Sequence, residues 1–215
     1  MAILRTGLYG SYYGSTSSSS RALSASEMQV NAKYIFSYLS NEGWSVNAIM
    51  ALLGNMQAES SLNPGRWQSD DVGNTSLGYG LVQWTPSTKY SNWCSEQGLN
   101  DPSEMDNNLK RILYELENNI QWIATNSYNF SFKEFSTSSN KTIRALAKAF
   151  LLCYERPADQ SESVQNYRAD LAEDWFRYLK GETPDNPSGA ISRKRKGYKF
   201  LLFNANRRRQ QWTKN

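Results

Sequence analysis

The sequence predicts a mainly α-helical domain of the α+β kind, with one small β insertion after its second helix and a cleft between the two. Three observations carry this expectation. Apolar residues recur at helical spacing in segment after segment, most regularly at Met105, Leu109, Ile112, Leu113, Leu116, Ile120 and Ile123. Helix-start residues precede several of these segments. In 52–85 the periodicity gives way to a polar run, then Gly78-Tyr79-Gly80 and an aromatic stretch, as a β element set among helices would.

In chain order, residues 1–22 read as a flexible leader, because the Ser-rich run 14–20 has nothing to bury. Tyr9, Tyr12 and Tyr13 are its docking groups. The opening stretch lacks the apolar core of a secretory signal. A domain is expected over 23–181. Ser24 and Glu27 form a capping box, with Leu23 and Met28 as a hydrophobic staple, so a helix over 26–41 follows until Gly43 stops it. Ser45 caps a second helix that ends just after Glu59, and Pro64-Gly65 terminates the element.

The stretch 77–84 reads as the β element. Pro86 opens a helix holding Tyr90, Trp93 and Cys94. Ser103 caps a long helix to about residue 124. Residues 125–141 read as loop around Phe130, Phe132 and Phe135. Helices over 142–154 and 162–179 close the domain, the last with Val164, Tyr167, Leu171, Trp175 and Tyr178 inward. Pro184, Pro187 and Gly189 mark 182–215 as a linker and basic tail.

Composition narrows the chemistry. There is no histidine in 215 residues. That excludes Ser-His-Asp triads, Cys-His pairs and histidine-bearing zinc sites as usually built, and two cysteines cannot form a four-thiolate site. Cys94 and Cys153 read as buried free thiols. No metal and no cofactor is expected. No apolar run approaches the roughly 18 residues that span a bilayer. The net charge of +4 hides an asymmetry: nine of the 24 Lys/Arg lie from Ser188 onward, where there is no acid. The preceding part holds 15 basic residues against all 20 acids, a net of −5.

Proton chemistry then falls to carboxylates. Glu59 lies three residues beyond Met56, near the apolar face of its helix and at the C-terminal end. Burial and the negative end of the helix dipole both favour the protonated form, as a general acid requires. Asp70 and Asp71 follow in a Gly- and Asn-rich loop where a carboxylate stays ionised. One neutral acid facing one anion across a cleft is the arrangement for cutting a glycosidic bond. The structural alternatives are plain: a helix-end Glu is often solvated or ion-paired, and Asp-Asp in a loop is often turn chemistry.

The motifs Asn31-Ala32-x-Tyr34-Ile35, Gly54-Asn55-Met56-Gln57-Ala58-Glu59-Ser60 and Asn63-Pro64-Gly65-x-Trp67-Gln68 resemble those of the lysozyme domain of bacteriophage tail proteins, in particular the tail-knob lysozymes of small podoviruses. The run from Gly73 to Pro86 and Tyr154-Glu155-Arg156-Pro157 extend the likeness over roughly 24–180. The Glu-Ser step and Gly-Tyr-Gly-Leu-Val-Gln are also similar to goose-type lysozymes and lytic transglycosylases. The resemblance implies a lysozyme-like fold and peptidoglycan cleavage with Glu59 as acid. By family position Asp71 is the second carboxylate more than Asp70, and some relatives need none.

Substrate-binding roles are expected for Trp67, Tyr79 and Trp84, whose faces suit sugar rings, and for Asn74, Gln83 and Thr85, which offer hydrogen bonds. The rival role for each is holding the β element together. Glu155-Arg156 reads as an internal ion pair. The basic tail, from Arg193 to Arg209, suits polyanions: teichoic acid or an acidic virion tail protein ahead of nucleic acid. The implied setting is a virion tail acting on the bacterial wall after synthesis in the host cytoplasm, opening the wall for genome entry. A lytic transglycosylase using the same Glu59, or a non-catalytic wall-binding module, are the alternatives.

Overall fold

The computed structural model describes residues 1–16 and 18–181; the linker and basic tail expected over 182–215 lie outside the described residues. A hairpin of β1 (Ala2–Gly7) and β2 (Gly10–Ser15) opens the chain. Among the described residues seven α-helices follow: α1 (Ala25–Asn41), α2 (Val46–Ser60), α3 (Thr88–Glu96), α4 (Met105–Glu117), α5 (Phe132–Thr137), α6 (Ile143–Phe150) and α7 (Glu162–Lys180). A π-helical turn, Leu151–Glu155, continues α6. The mainly helical class expected from the sequence is what the chain adopts.

Helix α2 is the centre. It is apolar nearly all round, with every residue from Ala48 to Met56 buried, so it must be enclosed. It packs on α7, α6 and α1. At the α2–α7 crossing Gly54 lets the backbones close up: a Cβ there would lie 2.6 Å from both the Ala172 nitrogen and the Arg168 carbonyl oxygen. The starts of α1 and α2 follow from their caps. Ser24 and Glu27 form the reciprocal capping box, and the Ser45 hydroxyl accepts from the Ala48 amide.

Four sequence expectations change. The leader is not a free arm over residues 2–15. Tyr12 is fully buried, its ring 5.3 Å from that of Tyr34, and its hydroxyl donates to Glu104. Asn31 brackets the Tyr13 backbone, accepting from its amide at 2.6 Å and donating to its carbonyl at 2.7 Å. Arg5 pairs with Asp101 and Glu104, each at 3.2 Å. The partners all lie far along the chain, so local composition could not show them.

The β insertion reduces to isolated bridges, Trp67 with Tyr79 and Tyr79 with Trp84, and the only ladder among the described residues is the hairpin. The long helix stops at Glu117 and is preceded by Glu104, not Ser103. Asn119 and Gln121 take positive φ (52° and 70°), so Ile120 and Ile123 leave the apolar stripe and are exposed. Trp122 turns inward instead and stacks on Phe132 at 5.2 Å. The loop around Phe132 contains α5, started by a Ser131–Glu134 capping box and burying Phe132 and Phe135.

Candidate active site

Helix α2 delivers Glu59 in its last turn. Ser60, next along, ties the helix end to the insertion: its hydroxyl donates to the Met56 carbonyl at 3.0 Å and the Leu81 carbonyl at 2.9 Å. The Glu59 side chain is 19 % exposed, so it is sheltered yet reachable. Its partner comes from α7. Arg168, with a side chain 6 % exposed, donates through Nη2 to Glu59 Oε1 and through Nη1 to Asn55 Oδ1 at 3.3 Å. The Asn55 amide donates to the Ala51 and Ala147 carbonyls at 2.9 and 3.1 Å. The guanidinium is therefore fixed by α2, which α6 in turn braces.

A second acid lies within electrostatic reach. The π-helical turn presents Glu155, whose Oε1 is enclosed and has no hydrogen-bond partner among the described residues. Burial pushes this carboxyl well above the usual carboxylate range, and the negative charge of Glu59 pushes it the same way, against Arg168. The expected Glu155–Arg156 ion pair is not what forms. The Arg156 guanidinium donates to the Gln121 and Cys153 carbonyls at 2.5 and 2.6 Å.

Glu155 also lines a pocket of about 210 Å³, together with Gln83, Thr85, Lys89, Gln121 and Tyr154. One wall is braced by Glu115, buried in the core. It accepts from Trp84 Nε1 at 3.0 Å, from Arg111 Nε at 2.9 Å and from the Tyr154 hydroxyl. Burial raises the Glu115 carboxyl despite those donors. Gly80, at φ 85°, lets the insertion turn beside Trp84, where a Cβ would meet the indole at 2.9 Å. A wider depression of about 350 Å³, lined by Trp93, Gln97, Lys110 and Tyr114 among others, holds none of these residues.

The expected second carboxylates are exposed loop residues. Asp70 is exposed and bound to Arg66 Nε at 2.7 Å, and it also accepts from the Ser20 hydroxyl at 2.8 Å. Asp71 is exposed and accepts from the Asn74 amide at 2.8 Å, while the Asn74 carbonyl oxygen accepts from the Ser76 amide at 3.2 Å. Neither aspartate lines the pocket, and neither does Glu59. Of the expected sugar-stacking residues, Tyr79 and Trp84 are 6 % and 4 % exposed and serve the core, Trp84 stacking on Tyr90 at 4.4 Å. Trp67 is half-buried against Tyr79. Gln83 and Thr85 line the pocket; Gln83 Nε2 is spent on the Gly80 and Arg66 carbonyls at 2.8 and 3.1 Å, and the Thr85 hydroxyl on the Gln83 carbonyl at 2.9 Å.

Sequence reasoning missed Arg168 and misread Glu155. A signal for the arginine was present. Position 168 falls four residues after Val164 and three before Leu171, on the inward face of α7, where an unpaired arginine would be costly. Tyr167, expected inward, is 40 % exposed because Arg168, Ala169 and Ala172 take that face.

With the geometry in hand, comparison with known proteins is decisive. The sequence model of the family described as phage tail lysozyme matches residues 30–179. The chain belongs to the phage tail lysozyme family. The match runs from α1 to the last turn of α7, so it includes Glu59, Glu155 and Arg168. The chain is also 55 % identical over 160 residues to morphogenesis protein 1 of Bacillus phage B103, an alignment covering 74 % of this chain and 42 % of that relative. The chain thus spans well under half the length of that curated relative.

Proposed function

We propose that this phage tail lysozyme chain cleaves peptidoglycan at the glycosidic bond, with Glu59 as general acid, as part of a virion tail that opens the bacterial wall for genome entry. The carrying observation is Glu59 itself: a sheltered carboxyl at the end of a buried helix, paired to a fixed cation and within electrostatic reach of a second, buried acid at the pocket. In its protonated form Glu59 passes its proton to the glycosidic oxygen as the C1–O bond breaks and its electron pair goes to that oxygen. Arg168 then stabilises the carboxylate left behind. Water adds to the anomeric carbon and returns its proton to Glu59. Gln83 and Thr85 border the bound glycan, and the basic tail adds affinity for anionic wall polymers or virion tail proteins.

One observation favours a second reading. Both loop aspartates are exposed and already partnered, Asp70 with Arg66 and Asp71 with Asn74. A lytic transglycosylase needs no second anion: the substrate's own 6-hydroxyl closes an anhydro ring and its proton returns to Glu59. Mass spectrometry of the muropeptides released from purified walls separates the two. Reducing ends mean hydrolysis, anhydro ends mean transglycosylation, and no release by the wild-type chain overturns both.

A further inference from the structure

The pocket that Glu155 borders has a lining whose hydrogen-bonding sense is fixed by the backbone around it. Val82, Trp84 and Tyr154 are buried and lend it little surface. The open lining is polar: Gln83 and Thr85 come from the insertion, Lys89 from the first turn of α3 and Gln121 from the segment after α4. We propose that Gln121 is a substrate-binding residue, which together with Gln83 accepts hydrogen bonds from hydroxyl groups of the wall glycan and selects for them. The inference rests on the reading of the chain as a peptidoglycan-cleaving enzyme and extends it to the group that this pocket takes.

The orientation of the two amides carries the argument. A carbonyl oxygen only accepts, so the amide atom that meets it must be the nitrogen. Gln121 Nε2 donates to the Tyr154 carbonyl at 2.9 Å. Gln83 Nε2 donates to the Gly80 and Arg66 carbonyls at 2.8 and 3.1 Å. The atom left over in each amide is Oε1, and neither Oε1 has a donor among the described residues. Thr85 behaves alike: its hydroxyl proton goes to the Gln83 carbonyl at 2.9 Å, so its oxygen is left to accept. The pocket thus offers acceptors from both the insertion and the segment after α4, with the exposed Lys89 ammonium as a donor.

The backbone is bent to hold this arrangement. Among the described residues eight non-glycine residues take positive φ, and three of them, Gln83 at 53°, Gln121 at 70° and Arg156 at 46°, line this one pocket. Such a conformation is costly for a residue with a Cβ and persists only where the surroundings enforce it. At Gln121 the restraints are plain. Arg156 Nη1 donates to its carbonyl at 2.5 Å, and two residues on the Ile123 amide donates to the Cys153 carbonyl at 2.9 Å. Strain gathered around a polar cavity preorganises it for a ligand.

The kind of ligand follows from the same groups. A carboxylate would set oxygen against oxygen at both glutamines. An acyl methyl would find no apolar seat, because Val82 and Trp84 are covered. A sugar hydroxyl gives and takes: its proton goes to a glutamine Oε1, and its lone pair accepts from Lys89. A site built to bond a hydroxyl discriminates against an analogue lacking the proton.

The test is calorimetric binding of chitotetraose, the β-linked tetramer of N-acetylglucosamine, to the full chain carrying Glu59→Gln to prevent cutting. Tetramers methylated at the 3-hydroxyls or at the 6-hydroxyls lose the proton but keep the oxygen, and they separate the two sources of free hydroxyl. One of them should bind about three- to tenfold more weakly than the parent, and adding Gln121→Met should erase that penalty. A role confined to holding the segment against the Tyr154 carbonyl would weaken all three tetramers alike. The inference is overturned if the parent does not bind, if neither methylation matters, or if the penalty survives Gln121→Met. Should that variant fail to fold, Gln83→Met is read in the same way, and a penalty left intact by it counts against the paired acceptors. The two readings fail separately. Wild-type chain that clears no walls, with the methylation penalty present, removes the proposed cleavage alone; clearing without the penalty removes this inference alone.

Discussion

Two groups of acids in this chain have the same residue chemistry and opposite settings. Glu59 is sheltered and paired to Arg168, and Glu155 is drawn into the interior, one of its oxygens having no donor among the described residues. Asp70 and Asp71 lie on an exposed loop, each with a partner of its own. The difference teaches where a carboxyl becomes chemically useful. In water an aspartate is ionised and its ion pair is weak, so it shapes a loop. Removed from water, as Glu155 is, a carboxyl is pushed well above the usual carboxylate range.

The harshest way to break the contrast is to remove the buried cation. Arg168→Met should destabilise the fold by about 3–5 kcal/mol, because it leaves Glu59 and Asn55 facing an empty site. Urea unfolding measures it. A loss near zero would mean that the cluster is solvated and resembles the loop. Gly54→Ala acts on the frame rather than the charges. Its Cβ would meet α7 backbone at 2.6 Å, so the helices must part. The expected cost is about 1–3 kcal/mol, with wall clearing falling alongside as Arg168 withdraws from Glu59.

A third environment sharpens the comparison. Glu27 closes the α1 capping box and pairs with Arg21, and these contacts, Arg21 first, hold its carboxyl down at about 2. A depressed folded value stabilises above the ordinary carboxylate range, and the gain is lost as pH falls toward 2. Glu27→Gln should therefore cost about 0.5–2 kcal/mol at neutral pH. Thermal melts at descending pH should show the two proteins converging below about pH 4, the reverse of what a buried acid gives. The smallest effect belongs to the loop. Asp70→Asn loosens an exposed pair with Arg66 and should shift stability by about 0.2–1 kcal/mol. Differential scanning calorimetry detects it.

Much of the helical frame was legible in the sequence because its signals are local. Ser24 with Glu27, Ser45, and the stripe through Met105, Leu109 and Ile112 each act within a turn or two. The parts that were not legible depend on distant partners. The serine-rich run 14–20 gave the first segment no core of its own, yet Tyr12 is buried by α1 and the start of α4. Glu59 was singled out because a motif and a helix end coincide there. Arg168 and Glu155 were not, since 109 residues separate Arg168 from Glu59 and only the fold brings them together. Tyr79 and Trp84 show the converse: aromatic residues in a motif were read as ligand-facing when the insertion uses them to hold its own turns together.

The comparison of the two carboxyl groups comes down to a single assay, the rate at which purified cell walls clear with Glu59→Gln and with the double variant Asp70→Asn, Asp71→Asn, each confirmed folded by circular dichroism. Glutamine at 59 keeps the hydrogen bond from Arg168 but has no proton to give, so clearing should fall by at least about 10²–10⁴-fold. The double variant should stay within about tenfold of wild type, because its carboxylates serve the loop. A Glu59→Gln protein that clears walls within a few-fold of wild type, or a double variant as inactive as Glu59→Gln is expected to be, would contradict the account.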